Sequence, residues 1–260
     1  MTEESVGRET QEASAAPAGS RSRRRKEASF GRWVWEWTKS IFIAFLLFLF
    51  IRAFVVEAFQ IPTASMENTL LVGDFLLVNK MVYGAEIPGT SLQLPAFSAP
   101  RRGDIIVFEP PSSAGQPAHT NYVKRVIGLP GDTLSMQDGV LYRNGEALEE
   151  PYVNNGIPSR DMRSPEFDWQ RAHLVDDGRR TGPYRPTRDN WGPILVPADS
   201  YFVLGDNRHN SQDSRYWGFV PAEAIKGKPL IIYYSYDRGT PSHVRWLTEI
   251  RWDRVLKTVD

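Results

Sequence analysis

The chain has 260 residues, enough for one sizeable globular domain with appendages or for two small ones. Its 31 Lys and Arg balance 31 Asp and Glu, so no global charge recruits nucleic acid as a partner. Cysteine is absent, which excludes disulfides, thiolate nucleophiles and cysteine-ligated metals together.

Residues 1–28 are rich in Ser, Ala, Glu, Gly and Arg and nearly without bulky apolar side chains. Such a segment buries too little surface to offset its ordering entropy, so a disordered tail is expected. Its basic block RSRRRK, at 21–26, directly precedes the most apolar stretch, WVWEWTKSIFIAFLLFLFIRAFVVEAF at 33–59. The uninterrupted apolar core, 41–51, is shorter than the roughly 20 residues that cross a bilayer. Its flanks make up the difference: Trp33, Trp35 and Trp37 form an aromatic belt, and Lys39 and Arg52 can snorkel. Nothing polar recurs at helical spacing to make a wet face, so the expectation is one transmembrane helix over 33–57, not a buried core helix. The basic block places the N-terminus in the cytoplasm and everything after about residue 57 on the far side.

IPTASMENTL, 61–70, follows this run with small residues, as a leader-peptide processing site would. Cleavage after Ala64 would put Pro62 at −3, where a small side chain is wanted, and Arg52 and Glu57 charge the approach. A permanent anchor is expected.

Beyond it the pattern turns to strands. FLLV at 75–78 and IIVF at 105–108 are short apolar runs, each opened by Gly-Asp, and YVKRVI at 122–127 sets β-branched residues around two cations. Asn144-Gly145 lies between strand-like flanks, a hairpin signal. Residues 149–197 are polar and without clear period, and read as an insertion of loops with weak strands. Strand character returns at 201–204 and 230–234. The tail, with Trp246, Ile250, Trp252 and Val255, fits a short helix or an aromatic patch at a membrane surface. The apolar loop around Ile87, Leu92, Leu94 and Phe97 either dips into the interface or packs on the domain. The expected organisation is a mostly β domain over 58–260 behind the anchor.

Familiar catalytic patterns are missing: there is no G-x-S-x-G, S-x-x-K, H-E-x-x-H or P-loop. Histidines at 119, 173, 209 and 243 show no ligand spacing, so neither zinc nor another metal is expected.

Four dense stretches remain: IPTASMENTLLVGD (61–74), RRGDIIVF (101–108), YVKRVIGLPGD (122–132) and GDNRHNSQDSRYWGFVP (205–221). In this order, behind an N-terminal anchor, they resemble the boxes of the bacterial type I signal peptidases, membrane-bound serine proteases that remove signal peptides from exported proteins. The likeness runs from the anchor to about residue 221 and leaves out the insertion and the tail. It implies an antiparallel β-sheet catalytic domain of signal-peptidase type on the extracytoplasmic side of the cytoplasmic membrane. It also implies no cofactor, preprotein signal peptides and the lipid bilayer as partners, and cleavage after small residues at −3 and −1.

By that resemblance Ser65 is the nucleophile and Lys124 its general base. A hydroxyl needs such a base to become nucleophilic. Lysine starts near pKa 10.4, so service near pH 7–8 requires a drop of roughly three units, about 4 kcal/mol, which burial can supply. Tyr122, Val123, Val126 and Ile127 are suitable neighbours, while strand alternation puts Arg125 on the opposite face. Thr63 and the Ser65 N–H match the oxyanion donors. Ser211 matches the serine that orients the lysine, and Asp213 with Arg215 a structural pair; Asp206, Asn207 and Arg208 are expected to fix the same turn. Phe59, Ile61, Pro62, Tyr122 and Val123 match the substrate-pocket walls, where an extended peptide would pair with strand edges.

Two features depart from that picture. Asn68 stands where the family's Ser-Met-x-Pro-Thr-Leu box has proline, an exchange expected to loosen the loop after the nucleophile. His209, near Asp206 and Asp213 in sequence, offers a competing Ser-His-Asp triad. Two rival functions also remain open on the sequence: an anchored module that binds peptides without cutting them, and a protease of the same Ser/Lys chemistry dedicated to one substrate.

Overall fold

In the computed structural model the described residues are 21–85, 87, 90, 92–117, 120–156, 160–176, 178, 182–239 and 244–259, with side chains from Phe30 onward. The chain divides into two units between Leu49 and Phe50.

The first unit is helix α1, Arg21–Phe50. Its backbone begins inside the segment 1–28 that composition marked as disordered; residues 1–20 of that tail lie outside the described residues. The physical reason is propagation. Arg, Lys, Glu and Ala are good helix formers, so an apolar helix once nucleated extends backwards through them. Phe30–Val55 is long and apolar enough to cross a membrane, with mean hydropathy 2.0 over its most apolar window and none of that window buried.

The second unit opens with a π-helical turn, Ile51–Val55, which gives way at Val56 to an extended residue. Strand β1, Val56–Gln60, follows at once, so the strand starts just before the expected boundary at 57–58. Consecutive β-branched valines at this junction favour the extended state over a further helical turn.

Two antiparallel sheets make up the unit. β2 (Asp74–Asn79), β3 (Ile105–Phe108), β4 (Tyr122–Gly128), β5 (Thr133–Gln137), β6 (Val140–Arg143), β7 (Glu146–Ala147), β8 (Trp191–Leu195), β9 (Ser200–Leu204), β10 (Val220–Pro221), β11 (Ile225–Ser235) and β12 (Lys257–Thr258) follow in turn. The larger sheet has the order β1-β2-β11-β3-β4-β9-β10, with β12 on β11, and the smaller the order β7-β6-β5-β8. The fold is therefore the mostly β, antiparallel architecture expected. Asn144 and Gly145 both take positive φ, 54° and 88°, the I′ geometry that matches strand twist between β6 and β7.

The insertion is more ordered than its composition implied. It holds a 3₁₀ segment, Pro165–His173, capped by Ser164, whose side chain accepts the Glu166 N–H. It ends in β8, which pairs back onto β5 through Thr133↔Leu195 and Leu134↔Ile194. Its polar residues had hidden Phe167 and Trp191, both buried. The tail contains a short helix, α3 (Arg245–Thr248), and Trp246 and Trp252 are exposed.

Two core clusters set the position of the cleft. One joins Leu76, Val78, Ile105, Val107 and Ile232 to Met66 and Leu70, which pins the 65–70 loop at both ends. The other gathers Ile106, Phe108, Val126, Val203 and Trp217 on the opposite face of the sheet. Met66 and Leu70 are almost fully buried, and each truncation to alanine costs about 2–5 kcal/mol.

Candidate active site

Ser65 sits in a tight turn: the Glu67 N–H donates to Ala64 O and the Leu70 N–H to Met66 O. Lys124 projects from the centre of β4, paired across the ladder with Ile106. The two meet, with Lys124 Nζ 2.6 Å from Ser65 Oγ and 3.1 Å from Val123 O. Both side chains are buried. Burial pushes the ammonium down from its ordinary 10.5 to about 8 against the opposing pull of Asp213 and Asp206, with Arg215 adding a smaller downward push. At neutral pH and above, a growing fraction is free amine, and the 2.6 Å contact then runs from the hydroxyl to nitrogen. That geometry can take a proton from Ser65.

Strand alternation holds next door. Arg125 turns away from the serine and grips Asp206 through Nε at 2.9 Å and Nη2 at 2.8 Å, with Nη1 on Gly103 O. Asp206 in turn accepts from Thr69 Oγ1 at 2.6 Å. Asn207 fastens the Ser65 backbone: its N–H donates to Ser65 O at 3.1 Å and its Nδ2 to Ala64 O at 3.2 Å. Of the expected turn-fixing set, Asp206 and Asn207 thus clamp the 64–69 loop directly, while Arg208 bonds Gly205 O and Glu150.

Asp213 and Arg215 form a fully buried pair, with Nε–Oδ1 and Nη2–Oδ2 both 2.8 Å, and Asp213 also accepts the Gly205 N–H. Burial alone would raise the Asp213 carboxyl, but Arg215 and the Gly205 N–H hold it below the ordinary carboxylate range. Ser211 Oγ is buried beside Asp213, whose carboxyl it helps to hold low, but makes no hydrogen bond of good geometry among the described residues. It lines the same cleft as Lys124, but no hydrogen bond joins the two among the described residues. Gly205 is required by close approach: a Cβ there would collide with Ser211 Oγ and Ser65 O.

Ser65 and Lys124 open onto a cleft of about 540 Å³. All the expected pocket residues, Phe59, Ile61, Pro62, Tyr122 and Val123, line it, as does Thr63. Neither the Thr63 hydroxyl nor the Ser65 N–H is engaged by another described residue.

The competing triad is not assembled. His209 lines the same cleft, yet its Nδ1 is buried without a hydrogen-bond partner among the described residues, and the hydrogen bonds of Asp206 and Asp213 go elsewhere. Histidines 119 and 243 lie outside the described residues.

Asn68 corrects an expectation. The backbone there has φ +95°, which asparagine tolerates and proline, locked near −65°, cannot adopt. The turn here is one that proline could not enter, and Asn68 Nδ2 donates to Tyr152 O at 3.2 Å.

A family model described as "Signal peptidase, peptidase S26" matches residues 34–234. The chain belongs to this family. It is a serine endopeptidase. Signal peptidase I of Pseudomonas fluorescens is 39% identical over 222 residues, 80% of this chain and 75% of that one. Signal peptidase I of Pseudomonas aeruginosa is 39% identical over 214 residues, covering 77% and 72%. A crystal structure of a signal peptidase I from Enterococcus faecalis is 31% identical, covers 51% of this chain and 98% of its own, and superposes with a TM-score of 0.32. The family match spans every box of the peptidase read above, together with most of the apolar helix and the insertion between them.

Sequence reasoning missed several residues that hold this site. Glu150, Tyr152 and Asn154 come from the polar start of the insertion, and Arg254 from the tail, donating to Thr69 O at 2.9 Å and paired with buried Asp74. No periodicity marks them. The available signal was a run of buried-type charge, Asp74 and Asp206, that needed cationic partners from somewhere in the chain.

Proposed function

We propose that the peptidase removes signal peptides from exported preproteins by a Ser65/Lys124 dyad, cutting after small residues at −3 and −1. The observation that carries this reading is the 2.6 Å approach of Lys124 Nζ to Ser65 Oγ at a lysine pushed down to about 8.

In the acylation step Lys124 takes the Ser65 proton as Oγ attacks the carbonyl carbon of the −1 residue. The tetrahedral oxyanion is received by the Ser65 N–H and the Thr63 hydroxyl. Lys124 then returns the proton to the leaving amine, the C–N bond breaks, and the signal peptide remains as an ester on Ser65. Water, deprotonated by Lys124, cleaves that ester and regenerates the hydroxyl. Ser211 serves to orient the lysine, and the Asp213–Arg215 pair keeps this turn in shape. Phe59, Ile61, Pro62, Tyr122 and Val123 offer shallow apolar walls against which small side chains fit, and an extended substrate chain pairs with the adjacent strand edge.

The apolar helical segment ending at Val55, two residues short of the expected 33–57, is the anchor, in a single pass of the cytoplasmic membrane, with 1–28 as a cytoplasmic tail and the β domain that follows as the extracytoplasmic catalytic domain. The bare apolar surface of Phe30–Val55 and the basic block at 21–26 before it support this topology. A membrane-impermeant protease added outside spheroplasts tests it: the domain is expected to be degraded while a tag on the N-terminus survives. Degradation of the tag alone would reverse the orientation. For the chemistry, purified protein in detergent is incubated with a preprotein beside Ser65→Ala and Lys124→Met; cleavage by the wild type alone is expected.

A further inference from the structure

We propose that Tyr152, at the start of the insertion, is a positioning residue that fixes the conformation of the Ser65 loop. The inference rests on the reading of Ser65 and Lys124 given above.

Tyr152 reaches the nucleophile by two routes. The first is direct. Its carbonyl oxygen accepts from Asn68 Nδ2 at 3.2 Å, three residues beyond Ser65, at the one residue of the 61–74 stretch other than glycine with positive φ. A left-handed asparagine in a solvent-exposed turn has little of its own to select that geometry, so an outside acceptor that holds its amide restricts the loop. The second route passes through charge. The Tyr152 ring lies 4.0 Å from the Arg125 guanidinium, whose edge is bidentate on Asp206. Asp206 holds Thr69 Oγ1 at 2.6 Å, and its neighbour Asn207 holds Ser65 O. The ring therefore covers the guanidinium face and excludes water from the ion pair that closes the loop. It also sits beside the residue that follows Lys124 on β4.

Tyr152 is itself braced. Its O–H donates to Glu150 Oε1 at 2.9 Å, and Glu150 pairs with Arg208 at 2.6 Å. Two residues on, the Asn154 N–H donates to Asp206 O at 2.7 Å and the Arg208 N–H to Asn154 O at 2.9 Å. The segment thus runs alongside the 205–208 turn as a parallel bridge, Asn154↔Asn207. None of these groups lines the cleft, so the segment acts on substrate only through the position of Ser65.

The test is steady-state cleavage of a preprotein by the full-length protein in detergent, with kcat and KM separated and the active fraction counted by single-turnover burst. Tyr152→Ala is expected to lower kcat about tenfold or more with KM within about twofold, since sub-ångström misplacement of a nucleophile acts on the chemical step. Tyr152→Phe, which keeps the ring and the carbonyl, is expected to restore most of the loss. Asn68→Gly, which keeps the positive φ and removes the donor, is expected to lower kcat severalfold without moving the thermal midpoint. Combined with Tyr152→Ala it adds less than the two single effects together. Wild-type kcat in both Tyr152→Ala and Asn68→Gly would overturn the proposal. So would a Tyr152→Ala loss confined to the active fraction, with kcat per active site unchanged. Should Tyr152→Ala fail to fold, Asn68→Gly decides alone. Absence of cleavage by the wild type would instead contradict the Ser65/Lys124 reading on which the proposal stands.

Discussion

Lys124 is the residue whose environment decides the chemistry. A lysine in water at neutral pH is an acid; buried on β4 and pushed down to about 8, it becomes a base within reach of physiological pH. Activity is expected to rise with pH through an alkaline limb near 8, read as kcat/KM against pH, and a profile flat from pH 6 to 9 would contradict it. The same shift couples to stability. Below about 8 both folded and unfolded chains carry the proton; between about 8 and 10.5 only the unfolded chain does, so this group's destabilising contribution fades as pH rises through that window. Replacing Lys124 by Met removes an ion buried at a cost of about 3 kcal/mol. The variant is therefore expected to be inactive yet to melt higher than the wild type at pH 7, as measured by calorimetry. A lower midpoint would show that the lysine is held by favourable contacts and not merely buried. Gly205 gives a second residue-level expectation. Its Cβ would strike Ser65 O and Ser211 Oγ, so Gly205→Ala is expected to lower kcat by about a hundredfold through displacement of the nucleophile. His209→Ala is expected to leave most activity, because its imidazole contacts neither Ser65 nor the acidic pair.

At the scale of elements, the site is a meeting of two turns and one strand. Met66 and Leu70 bury the ends of the nucleophile turn, β4 carries Lys124, and the turn after β9 supplies Gly205 to Arg215. These were legible because each box combines strand alternation with Gly, Asp and Asn punctuation, and because the four boxes keep the order of a known family. The braces were not legible. Tyr152 and Arg254 act through hydrogen bonds across more than eighty residues of sequence, and such contacts leave no period to read. Asn68 illustrates the same limit from the other side: the exchange of a proline was visible, but its effect on φ was not. Asn68→Pro is expected to destabilise the domain by about 3 kcal/mol or more, since the ring demands a φ of opposite sign. The Asp213–Arg215 pair is the element's structural charge. Arg215→Ala leaves a carboxylate buried without its partner and is expected to cost about 3–5 kcal/mol in urea unfolding.

Taken whole, the chain joins a helix with no buried face to a β unit whose cleft holds an amine and a hydroxyl in contact. Composition marked the helix by its unbroken apolar run and its tryptophans; it misjudged where the helix begins, because charged residues with good helical propensity extend it towards the N-terminus. The order within the insertion, a 3₁₀ segment and strand β8, was read only as loops with weak strands for the opposite reason, since its buried aromatics are spread thinly among polar residues. The account's central claim is that Ser65 cuts and Lys124 activates it. Quantitative cleavage of a preprotein by the wild type, Ser65→Ala, Lys124→Met and His209→Ala at pH 8 tests it most directly. The expected result is product from wild type and His209→Ala, at the junction after the −1 residue, and none from the other two. Cleavage by Lys124→Met together with loss in His209→Ala would contradict it.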